Sequence, residues 1–268
     1  MVLTAAAGFY LGSGAGVDLW LLVHTLLGTA LVAAGTNAFN QLRERDVDAR
    51  MRRTRGRPLP SGRVTPRAAG VFAGAISLGG VVYLALAVNL ITAALAALTL
   101  ASYVLLYTPA KRKTSLNTLI GAVPGALPIV GGWTAAGGKL GPAIAALFWI
   151  LFLWQLPHFL ALAWIYREDY RAAGLAMLSA TDADGSRTGR MALLYATALL
   201  PVSLLPTLLG VTGSVYFFGA LALGLAYAGV SAGMSRAATT PRAWRLFLAS
   251  IVYLPALLTL MVLDKVAA

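Results

Sequence analysis

The chain has 268 residues, 59% of them apolar and 11% charged, with a mean hydropathy of +0.78. A soluble domain carries about a quarter charged residues, so this composition excludes a soluble enzyme and reads as a polytopic membrane protein. A formal net charge of +12 raises nucleic acid as a partner, and the absence of cysteine removes disulfides and thiolate metal sites.

The first apolar run, Val2 to Gly12, reaches only roughly 17 Å as a helix, too short for a standard crossing. No basic segment precedes it, so it does not read as a signal peptide. Either the natural start lies upstream or the first span is abbreviated. Spans of about 20 apolar residues follow at 18–39, 68–88, 90–107, 115–133, 143–166, 189–209, 215–233 and 245–263. The expected fold is all-α, a polytopic membrane protein of about nine transmembrane helices with the first truncated, and 1–268 as one transmembrane domain. Thr65-Pro66 supplies an N-cap and a first-turn proline for the third span. The span 115–133 carries GAVPGALPIVGG, whose two prolines predict a bend. Its glycines suit close helix contact and a bulky ligand equally.

Charge settles orientation. Nineteen of the 21 lysines and arginines fall in loops on one side, and Lys139 and Lys265 on the other. The positive-inside rule makes the rich side cytoplasmic, so the net charge is topology and no nucleic-acid partner is needed. Seven of the nine acids share that side: Glu44, Asp46, Asp48, Glu168, Asp169, Asp182 and Asp184. Orientation does not require this, because acids contribute little to it. Two acid clusters four spans apart suggest two related halves facing one another.

The first cluster lies in NQLRERDVDARMRRTRGR, Asn40 to Arg57. Asn40, Glu44 and Asp48 recur at helical spacing and stack on one face. Bare carboxylates at that spacing repel, and a divalent cation reverses the sign. Oxygen ligands of this kind suit Mg²⁺, which completes its shell with water and phosphate oxygens. The arginines that follow, Arg53 and Arg57 among them, are fork-shaped phosphate partners. By themselves they read as topological anchors, and Asp48 has a plain alternative in Arg52 four residues on. Joined to the acid stack, they read as half of a metal–diphosphate site.

The second cluster follows FLWQLPHFLALAWIYREDY in the span 143–166. Gln155 and His158 are costly at membrane depth and are therefore functional candidates. A helix continuing to Asp169 places all three on one face, over a cleft acidic at its mouth and polar-aromatic deeper in. His24, near the outer end of its span, reads as a hydrogen-bonded packing residue. A third piece, YTPAKRKTSLN from Tyr107 to Asn117, sets Lys111 at the level of both clusters, as an anchor or a point-charge phosphate binder.

Taken together, the chain resembles the UbiA superfamily of intramembrane prenyltransferases, and within it the branch that farnesylates haem. The resemblance is carried by NQLRERDVDARMRRTRGRPLPSGRVTP at 40–66, YTPAKRKTSLN at 107–117, GALPIVGGW at 125–133, and WQLPHFLALAW with REDYRAAGLAML within 154–178. Glu44 stands where the superfamily commonly has aspartate, and only Asp169, with Glu168, matches the second acidic motif. The resemblance implies helices around a central cavity, farnesyl diphosphate and haem b as substrates, Mg²⁺ as cofactor, and a multi-pass place in the inner (cytoplasmic) membrane with the site on the cytoplasmic side. It implies Asn40, Glu44, Asp48 and Asp169 around the metal, Lys111 with Arg53, Arg57 and Arg112 on the diphosphate, and Gln155 and His158 on the haem. Other haem-biosynthesis or terminal-oxidase assembly proteins are implied as partners.

A quinone-precursor ring is the alternative acceptor; the intramembrane histidine of WQLPHF favours a metalloporphyrin. A transporter would place charges along a mid-membrane pathway, and the span interiors hold none.

Overall fold

An apolar stretch at membrane depth must satisfy its own backbone, and a helix does so within one segment. In the computed structural model, which describes residues 1–14 and 16–266, the named elements are all helices. α1 (Val2–Gly12) leads to α2 (Leu19–Asp48), α3 (Pro66–Ala87) and α4 (Leu90–Ala101). α4 widens into a π-helical turn, Ser102–Tyr107, and resumes as α5 (Thr108–Ala110). Then come α6 (Asn117–Ala135), α7 (Pro142–Ile165), the short α8 (Arg167–Ala172) and α9 (Leu178–Thr181), and finally α10 (Ser186–Leu208), α11 (Ser214–Arg236) and α12 (Thr240–Leu263). Among the described residues, eight helical segments are long and apolar enough to cross a membrane, and α1 is shorter.

Each expected span has its helix, with ends shifted by a few residues. The informative shift is in α2, which runs past 39 to Asp48 and so carries the Asn40–Asp48 stack on continuous helix. Asp18 caps its start by accepting from Leu21 N, and Thr65 caps α3 from Ala68 N with Pro66 in the first turn. At the other end of the membrane, Lys265 Nζ donates to the carbonyls of Tyr10 and Ser13 and satisfies the C-terminus of α1.

Successive spans pack side by side, α7 touches both α10 and α12, and α1 lies on α6 with edges against α2 and α12. Small residues make this possible. A Cβ at Gly132 would run into the Ala5 backbone, one at Gly8 into Ile129, and one at Gly121 into the Tyr107 ring. Gly121 and Gly132 of α6 therefore serve close packing, whereas Gly131 has open space beside it. Large apolar side chains such as Trp20, Phe72 and Leu86 point outward, as a lipid-facing surface requires. His24 bonds the Tyr83 hydroxyl across α2 and α3, the packing role expected of it.

One expectation fails. α7 stops at Ile165, where Tyr166 leaves helical geometry at φ −104° and ψ 20°, and α8 restarts at Arg167. Gln155, His158 and Asp169 do not share a face of one helix.

Candidate active site

Three loop segments converge at the end of α2. Val47 and Met51 pack with Ala163, Ala173, Leu175 and Met177, joining the segment that follows α2 (the first acidic cap) to the segment that follows α7 (the second). Ala176 N donates to Lys111 O at 2.7 Å and Asn117 Nδ2 to Ala176 O at 3.0 Å, which ties the 107–117 segment to the same loop. The two acidic caps and the lysine loop thus form one structure.

Within it, Glu44 and Asp48 are buried, at 6% and 1% exposure. Each holds a cation. Lys111 Nζ donates to Glu44 Oε2 at 3.0 Å while lying over the Tyr107 ring, and Arg57 Nη1 lies 2.8 Å from Asp48 Oδ2. Asp48 therefore pairs with Arg57 and not with Arg52. Two carboxylates one turn apart repel, and separate countercharges relieve that repulsion. The Thr54 hydroxyl, donating to Asp48 O at 2.9 Å, folds the arginine segment back so that Arg57 reaches inward.

Asn40 Nδ2 donates to Glu44 Oε2 at 3.1 Å, and its Oδ1 accepts from Thr108 Oγ1 at 3.2 Å. Glu44 Oε1 lies 2.9 Å from the lysine ammonium but off the hydrogen-bonding direction, leaving a buried carboxylate oxygen with no hydrogen bond. That unsatisfied buried lone pair, one helical turn from Asn40 and one from Asp48, is oxygen chemistry that fits Mg²⁺. The four expected ligands are nonetheless not a ready-made set. Among the described residues no three His, Cys, Asp or Glu side chains converge on a metal position, because Glu44 and Asp48 face their own cations. Asp169 is half-buried on α8, whereas its neighbour Glu168 is exposed and pairs with Arg171.

Arg53 stacks on the Tyr166 ring, 4.8 Å from its centroid, and so lies at the second cap. Burial pushes the Tyr170 phenol above its ordinary value, with Arg53 and Lys111 pulling the other way, so Tyr170 sits in the field of both cations. Arg112 is not brought to this cluster. It is exposed, bonded to Asp46 at 2.6 Å, and Asp46 lies about 200° round α2 from Glu44. Asp182 is also elsewhere: it accepts from Thr188 N at 2.7 Å and Thr188 Oγ1 at 2.8 Å, a cap for α10.

Deeper in, Gln155 spends both amide hydrogens on backbone, donating to Ala122 O at 2.8 Å and Leu151 O at 3.1 Å, and a Cβ at Gly125 would strike its oxygen. It ties α6 to α7. His158 is stacked on Trp154 and Phe247, with Nδ1 2.7 Å from Ser250 Oγ. Ser250 Oγ also lies within reach of Phe247 O, so a hydroxyl hydrogen placed on that carbonyl would make Nδ1 the donor and leave the lone pair on Nε2. Two to three turns from Asn40 along α2, Thr29 and Val32 line, with Pro128, a hollow of about 30 Å³. A larger apolar cavity of about 330 Å³ near Leu156, Leu160 and Arg190 lies on the face of α7 opposite His158.

Sequence reasoning assigned no role to Thr54, Thr108 or Tyr170. Thr108 stood in the quoted YTPAKRKTSLN, but its inward placement depends on the π-helical turn, which has no sequence signature.

The profile of the UbiA prenyltransferase family matches residues 1–254. The chain is 50% identical over 251 residues to the protoheme IX farnesyltransferase of Solibacter usitatus, covering 93% of this chain and 85% of that protein. It is 45% identical to the protoheme IX farnesyltransferase of Koribacter versatilis, over 99% of this chain and 89% of that one. Among solved structures, a digeranylgeranylglyceryl phosphate synthase superposes with a TM-score of 0.81 at 17% identity, over 98% of this chain and 92% of that one. A UbiA homolog from Archaeoglobus fulgidus bound to GPP and Mg²⁺ superposes with a TM-score of 0.72 at 18% identity, over 97% of this chain and 94% of that one. On the family match and the identity to these relatives, the chain belongs to the UbiA prenyltransferase family.

Proposed function

We propose that the chain transfers the farnesyl group of farnesyl diphosphate to the 2-vinyl group of haem b, with addition of water, to give haem o. The supporting observation is the pair of buried carboxylates, Glu44 held by Lys111 and Asp48 by the part-exposed Arg57, where two caps meet, in a chain 50% identical to a protoheme IX farnesyltransferase. Nineteen of the 21 basic residues on that side support a cytoplasmic site in the inner membrane.

Bond by bond, the C1–oxygen bond of farnesyl diphosphate breaks as C1 joins the terminal vinyl carbon. Water then takes the positive charge left beside the porphyrin ring and releases a proton. Lys111, Arg57 and Arg53 receive the negative charge that develops on the leaving diphosphate. Asn40, Glu44, Asp48 and Asp169 would hold Mg²⁺, which supplies a Lewis acid for that same charge. The bundle keeps water from the allylic cation until the new bond is made. His158, its Nδ1 held by Ser250 Oγ, has Nε2 left for the acceptor and is our residue for contact with haem iron.

Purified protein given farnesyl diphosphate, Mg²⁺ and haem b should yield a haem more hydrophobic by chromatography. Prenylation of an aromatic acid in place of haem would sink the haem assignment. No prenylation of either acceptor would sink the transfer itself.

A further inference from the structure

We infer that Thr108 is a positioning residue that lets the Asn40 side-chain amide turn over so that its oxygen faces a divalent cation, an inference that rests on the metal reading of Asn40 above. As it stands, Asn40 turns Nδ2 towards Glu44, at 3.1 Å. An amide nitrogen has no lone pair to give a metal; only Oδ1 can ligate. The oxygen points instead at Thr108 Oγ1, 3.2 Å away.

Rotation about the terminal side-chain bond exchanges the two amide atoms in nearly the same volume. Oδ1 then lies beside the Glu44 carboxylate, an arrangement of like partial charges that a cation between them makes favourable. Nδ2 then faces Thr108 Oγ1 and needs an acceptor there. A hydroxyl can serve, provided its own hydrogen goes elsewhere. The structure supplies that place: Tyr103 O lies 3.0 Å from Thr108 Oγ1.

The π-helical turn is what puts that carbonyl within reach. In a regular helix a threonine hydroxyl meets the carbonyl four residues back; here the widened turn presents the carbonyl five residues back, which also accepts from Thr108 N. Thr108 is 4% exposed, so water is a poor substitute for either role. The hydroxyl thus donates to Asn40 in one amide orientation and accepts from it in the other.

The test is Mn²⁺ binding in the presence of inorganic pyrophosphate, on the full chain in detergent, read from the spin-resonance signal of free Mn²⁺. Thr108→Val strands Nδ2 in the metal-facing orientation and Oδ1 in the other; the orphaned donor is the costlier of the two, so Mn²⁺ binding should weaken by about three- to fivefold. Thr108→Ser keeps the hydroxyl and should stay within about twofold of the parent. Thr108→Ala replaces the valine variant if the latter does not fold. Asn40→Asp presents oxygen in both orientations, so valine at 108 should matter less in that background. Parent-like binding by Thr108→Val, with Asn40→Ala weakened, overturns the role of Thr108 and leaves the metal reading of Asn40 standing. An equal loss in Thr108→Ser also overturns it. Parent-like binding by Asn40→Ala removes the metal reading itself, and this inference with it.

Discussion

Removing the ammonium of Lys111 tests whether the buried pair at the end of α2 is structural as well as chemical. Lys111→Met keeps most of the side-chain volume but leaves Glu44, 6% exposed, without a countercharge. Stripping one partner from a buried ion pair costs about 3–5 kcal/mol. Asn40 Nδ2 stays on Glu44 Oε2 at 3.1 Å, so the low end applies, about 3 kcal/mol. Adding Glu44→Gln removes the stranded charge and leaves the loss of roughly one hydrogen bond, about 1 kcal/mol. The double variant should therefore be more stable than Lys111→Met by about 2 kcal/mol, a factor of roughly 30 in the folded-to-unfolded ratio. Unfolding in mixed micelles with rising dodecyl sulfate, followed by circular dichroism, measures it. Equal midpoints for the single and double variants would refute the argument, because Glu44 would then carry no buried, uncompensated charge.

Asp48→Ala should leave membrane insertion intact and lower farnesyl transfer by about a hundredfold or more, the scale of losing one group that stabilises developing charge. Unchanged turnover would count heavily against a diphosphate site at Asp48. Asp182→Ala should destabilise the chain by about 1–2 kcal/mol through loss of the α10 cap, with turnover per folded molecule unchanged. A fall in turnover at parental stability would instead return Asp182 to the acid cluster of the site.

The spans were legible because bilayer thickness fixes helix length, and the composition left few other ways to arrange so many apolar residues. The Asn40–Glu44–Asp48 stack was legible because four-residue spacing has one meaning on a helix. What spacing could not give was partnership. Asp48 skips Arg52, its neighbour along the helix, for Arg57, because Thr54 folds the chain back on the Asp48 carbonyl. Arg112, adjacent to Lys111, turns to Asp46 on the far side of α2. The break at Tyr166 carried neither glycine nor proline, so periodicity ran straight through it to Asp169. The glycines of α6 were ambiguous in sequence because small residues admit a helix or a ligand alike; Ala5, Tyr107 and Gln155 fill the space beside three of them, and Gly131 stays open.

The pairing of both carboxylates with cations has a consequence for how a diphosphate enters. Glu44 and Asp48 carry two negative charges, Lys111 and Arg57 two positive ones, and the set is neutral. A diphosphate adds further negative charge beside two buried carboxylates, and it can take the lysine and the arginine only by drawing them from partners that then stand uncompensated. Such a trade is unfavourable unless the carboxylates are satisfied at the same time, which is what a divalent cation does. Inorganic pyrophosphate should therefore bind the parent protein weakly in the presence of a chelator and strongly with Mg²⁺. The variant Glu44→Gln with Asp48→Asn frees both cations without emptying their positions. It should bind pyrophosphate under chelation about tenfold or more tightly than the parent, one ion pair no longer broken being worth at least about 1.4 kcal/mol. It should also lose the enhancement by Mg²⁺. Isothermal titration of both proteins, with and without the metal, separates the cases. Parental binding that is equally tight under chelation would mean that Lys111 and Arg57 are not committed to the carboxylates when the diphosphate arrives.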